Sequence, residues 1–582
     1  MTTRIWITCC LFWTVLLATF TPAQSNTTDL HQQSLSPRSL PPHKTAKPVS
    51  STQRDPSPPN FMVILCDDLG FSDIGVYGSE INTPNLDRLA KNGARFHQFY
   101  NTARCWPTRA ALLTGYYAQQ VRRDTVEGIP SGAQAKRPSW AKLLPERLKK
   151  YGYRSYHSGK WHVDGSPLAG GFDHSYSLQD HDRHFNPKNH TLDDKPLPPV
   201  KEGGEYYYSS TAIAQYAIDQ LNDHQQSFPD KPFFSFIAFT APHFPLHAPQ
   251  PIVDRYRSKY QDGWEAVRQR RWESMKDFGI ASQPSSVERS VGPPYPFPDA
   301  IKKLGPGELN LPKPWNELNE EQKRFQIDKM AVHAAMIDCM DQEIGRIIDW
   351  LSNQRKLDDT LILFLSDNGA SAEIMVRGDG HNPQAPAGSP ATFLSLGPGW
   401  STVSNTPFRR HKTWVHEGGI STPMIAHWPA SITPNPAAIA TPHHVIDIAP
   451  TLLELAEGAA GKGRTGDTKF DWSGPLPAGQ SFVAELTNNP KSGRDNATPV
   501  ASSATERVLW WQHEGNRALR WGDWKLVAAG KNAPWELYDL KNDRIESNDQ
   551  AAIRPEIVEK LAEKWEQIQS ENAALAKSDE TN

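Results

Sequence analysis

Two pairs of oxygen donors and one unusual cysteine carry the chemistry that can be read in this chain. Asp67-Asp68 and Asp367-Asn368 offer carboxylates and a carboxamide, with no thiolate or imidazole cluster beside them. Such a donor set suits Ca²⁺, or less well Mg²⁺, and does not suit zinc. Adjacent acids and Asp-Asn-Gly turns also serve as plain loop caps. Two such pairs, each closing an apolar run, shift the balance toward a metal site. Cys105 opens the run Cys-Trp-Pro-Thr-Arg109-Ala-Ala-Leu-Leu-Thr-Gly115. Pro107 suits the first turn of a helix, and Gly115 can end one. Cys105 then sits at a helix N-terminus, where free N–H groups and the dipole favour an anion. A buried structural thiol beside an ordinary helix start is the alternative. Lys160-x-His162 would place a cation and a base on one side of an extended segment. His243 follows another apolar run, although a histidine after a strand is often only a loop residue.

Three apolar runs position these groups. Phe61–Leu65 leads through Cys66 into Asp67, Phe233–Phe239 leads toward His243, and Leu361–Leu365 leads through Ser366 into Asp367. Short, almost unbroken apolar runs read as strands buried on both faces. Helical patterns lie between them, from Pro84 to Gly93 and over 140–150 and 327–352. The alternation predicts an α/β fold with a large, mostly parallel central sheet and helices on both faces. Sites in such sheets form beyond the carboxyl ends of the strands. Here all three ends deliver chemistry-bearing side chains. Ala518–Val527 and Trp535–Leu540 read as antiparallel strands, and 556–570 as an amphipathic helix. They predict a smaller C-terminal α+β domain with an antiparallel sheet over 459–575, after a catalytic domain over 57–458. Residues 251–326, dense in Trp, Pro and charge, read as an insertion near the site, and 576–582 as a disordered tail.

The chain has 582 residues and a net charge of −3, which excludes a basic field for nucleic acid. Residues 1–23 read as a signal peptide: Arg4, a short apolar stretch, then small residues. The stretch is short for a membrane span, so a secreted or periplasmic protein with no stable span after cleavage is expected. Residues 24–56, rich in Ser, Pro, Thr and Gln, read as a disordered linker. Cys66, Cys105 and Cys339 remain after cleavage, too few for a disulfide framework. Cys66 and Cys339 sit in apolar patterns. Cys105, among polar neighbours, stands apart.

Cys105-x-Pro107-x-Arg109 resembles the signature of formylglycine-dependent sulfatases of the alkaline phosphatase superfamily. Further matching segments follow in that family's order: Asp67-Asp68-Leu-Gly70, Gly159-Lys160-Trp161-His162, Ala241-Pro-His243, Ser366-Asp367-Asn368-Gly369, Lys412, Glu417-Gly-Gly419 and Asp447-Ile-Ala-Pro450. The likeness covers residues 57–575 and is to arylsulfatase-like members. It implies that a separate maturation enzyme oxidises Cys105 to formylglycine (3-oxoalanine), hydrated to a gem-diol. One diol oxygen attacks sulfur, leaving a sulfated enzyme, and the second hydroxyl expels sulfate. The resemblance assigns Asp67, Asp68, Asp367, Asn368 and the modified Cys105 to Ca²⁺ and Arg109 to the diol. It assigns Lys160 and Lys412 to sulfate oxygens, His162 to the elimination as base, and His243 with Lys412 to the leaving oxygen. Two positions depart from the commonest signature: Trp106 replaces a small residue and Thr108 replaces Ser.

The expected partner is a sulfated small molecule or glycan. The alternatives are a phosphodiester or phosphonate monoester hydrolase on the same scaffold, and a non-catalytic binder of sulfated glycans. His416 and His513 are weaker candidates for facing substrate. His174, His181 and His184 read as a polar loop near the site.

Overall fold

The computed structural model describes residues 58–201, 207–434, 438–459, 472, 474–487 and 507–578. The expected signal peptide and linker lie outside the described residues. The chain runs through β1 (Asn60–Cys66), β2 (Ala94–Arg95), β3 (Phe99–Tyr100), β4 (Arg154–Gly159), β5 (His174–Leu178) and β6 (His190–Leu192). It continues with β7 (Lys195–Pro196), β8 (Phe233–Ala238), β9 (Thr360–Ser366), β10 (Met424–His427) and β11 (His443–His444). Nine of these form one sheet, in the order β2-β10-β9-β1-β8-β4-β5-β6-β7. The central five, β9-β1-β8-β4-β5, are parallel. Antiparallel strands extend the sheet at both edges.

Every residue of β1, β8 and β9 is buried, which is why these strands show as unbroken apolar runs. Alternate side chains serve opposite faces. Met62 and Ile64 join the core that includes residues of helices Ser209–Ser227 and Glu320–Asn353. Phe61, Val63 and Leu65 join residues of helices Cys105–Thr114 and Ile448–Ala459 on the other face. Strand β4 escapes the apolar criterion. Its sequence, Arg-Ser-Tyr-His-Ser-Gly, is polar yet buried after Arg154. Two of its polar side chains bond sideways: His157 Nδ1 lies 2.9 Å from Ser175 Oγ, and Ser158 Oγ donates to the Ile213 carbonyl at 2.7 Å. Burial at hydrogen-bonded polar positions leaves no hydrophobic signal.

The C-terminal region holds an antiparallel sheet of β12 (Val508–His513), β13 (Asn516–Trp521), β14 (Trp524–Ala528) and β15 (Glu536–Asp539). Helix Pro555–Lys577 covers one face, with Leu561 and Trp565 in a core shared with Trp510, Leu519 and Leu526. This helix runs two residues into the stretch read as tail. The other face, with Leu509, Trp511 and Val527, meets Tyr100, Val415 and Ile420. A buried ion network ties the two regions together. Lys525 Nζ lies 2.9 Å from Glu417 and 2.8 Å from Glu546, and Arg544 Nε lies 3.3 Å from Glu417. Burial acts to raise the Glu417 carboxyl, but Lys525 and Arg544 hold it down at about 2. Lys525→Met strands two carboxylates in the interior. We expect it to cost roughly 3–5 kcal/mol, read as a lower denaturant midpoint at unchanged slope; an unaltered midpoint refutes this.

Candidate active site

Four parallel strands end on one side of the sheet, and each delivers a site residue. Strand β1 leads into Asp67-Asp68, β9 into Asp367-Asn368, β4 into Lys160, and β8 through a short turn into His243. Asp68 takes a left-handed backbone, φ 66°, and its N–H donates to Asp367 Oδ1 at 3.3 Å. Asn368 Nδ2 donates to Asp68 Oδ1 at 2.7 Å. The two donor pairs, 299 and 300 positions apart in sequence across these bonds, therefore make one cluster.

Cys105 is buried, as the first residue of helix Cys105–Thr114; Arg104 precedes it in extended conformation. Gly115 closes the helix at φ 82°, where a side chain would be strained, and its N–H reaches the Ala111 carbonyl. Thr108 explains its own departure from the signature. Its hydroxyl donates to the Asp367 carbonyl at 2.7 Å and meets the Thr102 hydroxyl at 2.7 Å. Thr keeps the oxygen that Ser would supply, and with it the tie between the helix and the acidic loop.

Arg109 is fully buried. Its Nε and Nη2 donate to Asp367 Oδ2 at 3.1 and 2.7 Å, and Nη1 to the Lys160 carbonyl at 2.7 Å. Lys160 Nζ lies 2.5 Å from Asp67 Oδ2. Lys412 Nζ lies 2.7 Å from Asp68 and 3.0 Å from Glu373. Glu373 also holds Arg104 at 3.1 Å. Sequence reasoning missed both Glu373 and Arg104, although Glu373 is the only acid between Gly369 and Gly378. Among chemistry-bearing groups, a solitary acid so close to Asn368 was the available signal.

His243 Nδ1 donates to the Phe244 carbonyl at 2.5 Å, so Nε2, 3.8 Å from Asp68 Oδ2, faces the cluster as an acceptor in the neutral ring. His162 does reach the same cleft as Lys160, but not along an extended segment. Its φ is 56°, so the chain turns there and the alternation argument fails. Trp106 stands between His162 and His513, with ring centroids 5.8 and 5.6 Å away. His513 is held by Asp124 at 2.9 Å. His416 is buried against Glu536 of the C-terminal sheet, at 3.6 Å. The three histidines of the polar loop separate. His181 packs edge-on against His243 at 5.4 Å, His184 bonds Ser209, and His174, at the start of β5, pairs with Asp193.

Residues 59–459 match the family model described as Sulfatase. A relative described as an uncharacterized sulfatase of Schizosaccharomyces pombe is 32% identical over 574 residues, spanning 91% of this chain and 96% of its own. The chain belongs to the sulfatase family. An arylsulfatase of Klebsiella aerogenes is 33% identical over 433 residues, 68% of this sulfatase and 86% of the relative. In fold, this sulfatase resembles a solved structure determined with its substrate D-glucosamine-2-N,6-O-disulfate, with a TM-score of 0.57, 20% identity, and 90% and 100% of the two chains covered. The protein is thus an enzyme that hydrolyses sulfate esters.

The oxygens of the sulfatase site fit a cation, although Asp67, Asp68, Asp367 and Glu373 are already paired with Lys160, Lys412, Arg109 and Arg104. Burial acts to raise Asp67, but Lys160, His243, Arg109 and Lys412 hold its carboxyl well below the ordinary range. Burial, joined by the charge of Asp67, pushes Asp367 up to about 7 despite Arg109. Asp67 Oδ1 and Asn368 Oδ1 are buried without a hydrogen-bond partner, and buried oxygens in that state are rare. Asp67, Asp68 and His243 each offer an atom within 4.8 Å of the others. Orphaned oxygens among mutually repelling carboxylates fit a hard divalent ion. Burial also raises the Cys105 thiol, although Lys160 and Lys412 oppose it. An unmodified Cys105 would be a poor thiolate.

Proposed function

We propose that this sulfatase releases inorganic sulfate from aryl or carbohydrate sulfate esters with formylglycine at position 105 and Ca²⁺ at the acidic cluster. The observation that carries the reading is that buried Cys105, first in its helix, feels the charges of Asp67 and Asp367, in a cluster where Asp67 Oδ1 and Asn368 Oδ1 lack hydrogen-bond partners. A separate maturation enzyme, using an external oxidant, would convert Cys105. The aldehyde hydrate supplies one hydroxyl to attack sulfur and a second whose collapse frees sulfate. Asp67, Asp68, Asp367 and Asn368 would hold Ca²⁺, which offsets sulfate charge; an all-oxygen set favours it over zinc.

The remaining roles follow from side chains already described. Arg109 locks Asp367 and the Lys160 backbone, so helix and ligand loop stay in register. Lys160 and Lys412 donate to sulfate oxygens and offset charge that grows in the transition state. Lys412 stays protonated and would donate a hydrogen bond to the leaving oxygen, because burial acts to lower its pKa but Asp68 and Glu373 raise it above the ordinary lysine value. His243, whose Nδ1–H is committed to Phe244, would share this role with Lys412 when its Nε2 is also protonated and donates to that oxygen. His162 serves as the base that triggers sulfate release. Residues 1–23 would direct the chain to a secreted or periplasmic location. No helix among the described residues is long and apolar enough to cross a membrane.

The test is peptide mass spectrometry on material that releases sulfate from an aryl sulfate. The Cys105 peptide should be lighter by about 18 Da, the change from thiol to aldehyde at the nucleophile. An unmodified thiol in fully active protein refutes the proposal.

A further inference from the structure

A cleft of about 700 Å³ opens beside the catalytic groups, with Lys160 and His162 in its wall. Its volume falls within the range of pockets that enclose whole ligands, roughly 300–1,000 Å³, and exceeds what one sulfate or one aromatic ring fills. Ligand pockets in general are lined mainly by hydrophobic and aromatic side chains with a few placed polar groups. This one presents Arg123, Ser166, Gln179 and Asp194 as well. Gln179 and Asp194 are exposed at its rim, and Arg123 is buried within.

The bonding state of the buried groups points to a missing partner. Arg123 Nη1 donates to the Ala135 carbonyl. Its Nε makes no hydrogen bond and lies 3.8 Å from Asp164, whose carboxylate is taken by Arg137 at 2.6 Å. His162 Nδ1 is likewise buried and unbonded. Leaving two such nitrogens in one cleft costs stability unless a ligand or water completes them. Ser166 Oγ and Asp194 Oδ2 are joined at 2.6 Å near the rim, which supplies an acceptor for hydroxyl donors.

We infer that this cleft is the leaving-group subsite and that it takes a sulfated saccharide of at least two rings, the second ring hydrogen-bonded by Arg123 and Gln179. The inference rests on the proposed sulfate-ester chemistry and names its substrate class. Alternating hydroxyl donors and acceptors on a sugar match guanidinium, amide and carboxylate groups. A flat aryl ring would leave them unpaired, the kind of mismatch that sites reject strongly.

The probes are monosulfated disaccharides, their sulfated monosaccharide halves and 4-nitrophenyl sulfate. For the wild type, kcat/KM on at least one disaccharide should exceed that on its monosaccharide by about 30-fold. Arg123→Gln and Gln179→Ala should each shrink that advantage to below about 3-fold, through KM, and Arg123→Lys should retain part of it. No advantage for a second ring in the wild type, alongside aryl sulfate turnover, overturns the subsite but leaves the chemistry standing. Equal loss on mono- and disaccharide in both variants also overturns it, because the residues would then be structural. Absence of sulfate release from every probe by matured protein overturns the chemistry itself.

Discussion

Cys105→Ser should turn the enzyme into a single-turnover protein. A serine hydroxyl beside Lys160 and Lys412 can accept the sulfuryl group. It has no second hydroxyl on the same carbon to expel it. The substituted side chain should therefore hold a sulfate ester, seen as a gain of about 80 Da on its peptide after exposure to an aryl sulfate. Steady-state release should fall by more than about 10⁴-fold, on the scale of removing a nucleophile that acts as part of a unit. Cys105→Ala should match that loss without the added mass. Both variants should keep the wild-type circular dichroism, since Thr108 and Arg109, not the thiol, tie this helix to the acidic loop. Multiple turnovers by the serine variant would show that the nucleophile lies elsewhere.

Removal of the divalent ion should have the second-largest effect, and its size should depend on pH. In the metal-free protein the Asp367 carboxyl sits at about 7, raised by burial and by Asp67, against about 3.9 when unfolded. A raised carboxyl contributes stability in its protonated form. That contribution is complete below about pH 4 and is lost as pH rises through 7. Metal binding needs the carboxylate, so protons compete with it. We therefore expect chelation to abolish sulfate release and Ca²⁺ to restore it. The thermal shift produced by saturating Ca²⁺ should be larger at pH 8 than at pH 6. At free Ca²⁺ 100-fold above the dissociation constant, the stabilisation is about 2.7 kcal/mol. Asp367→Asn removes the titrating group and should flatten the pH dependence. Full activity after exhaustive chelation, or an equal shift at both pH values, would refute the assignment.

Much of this site was legible in one dimension because the fold repeats a simple rule. Apolar strands buried on both faces stand out by composition, and in a parallel sheet their carboxyl ends share one edge. Asp67, Asp68, Asp367, Asn368 and His243 follow from that rule without any knowledge of contacts. Lys160 did not, because β4 is buried through hydrogen-bonded Ser and His and so has no apolar signature. Its place rested on the Lys160-x-His162 spacing and on resemblance. Glu373 and Arg104 were invisible for a related reason. Their role is to partner Lys412 and each other across 39 and 269 positions, by difference of their numbers, and pairing over such separations leaves no local pattern.

The sequence by itself determined the α/β class, the helix start at Cys105, the carboxylates and carboxamide at the strand ends and the antiparallel C-terminal strands. All of these depend on residue type and short-range periodicity. Only the tertiary structure decided that His162 turns back through a left-handed backbone, that Thr108 and Arg109 clamp Asp367, and that His416 belongs to the docked sheet while His181 belongs to the site. Those outcomes depend on which chain segments meet, and in a packed interior each buried polar group is placed by the partner that satisfies it. Two of the nitrogens left unsatisfied among the described residues, in Arg123 and His162, belong to residues that line the same cleft beside Lys160, a convergence that no spacing in the sequence could have announced.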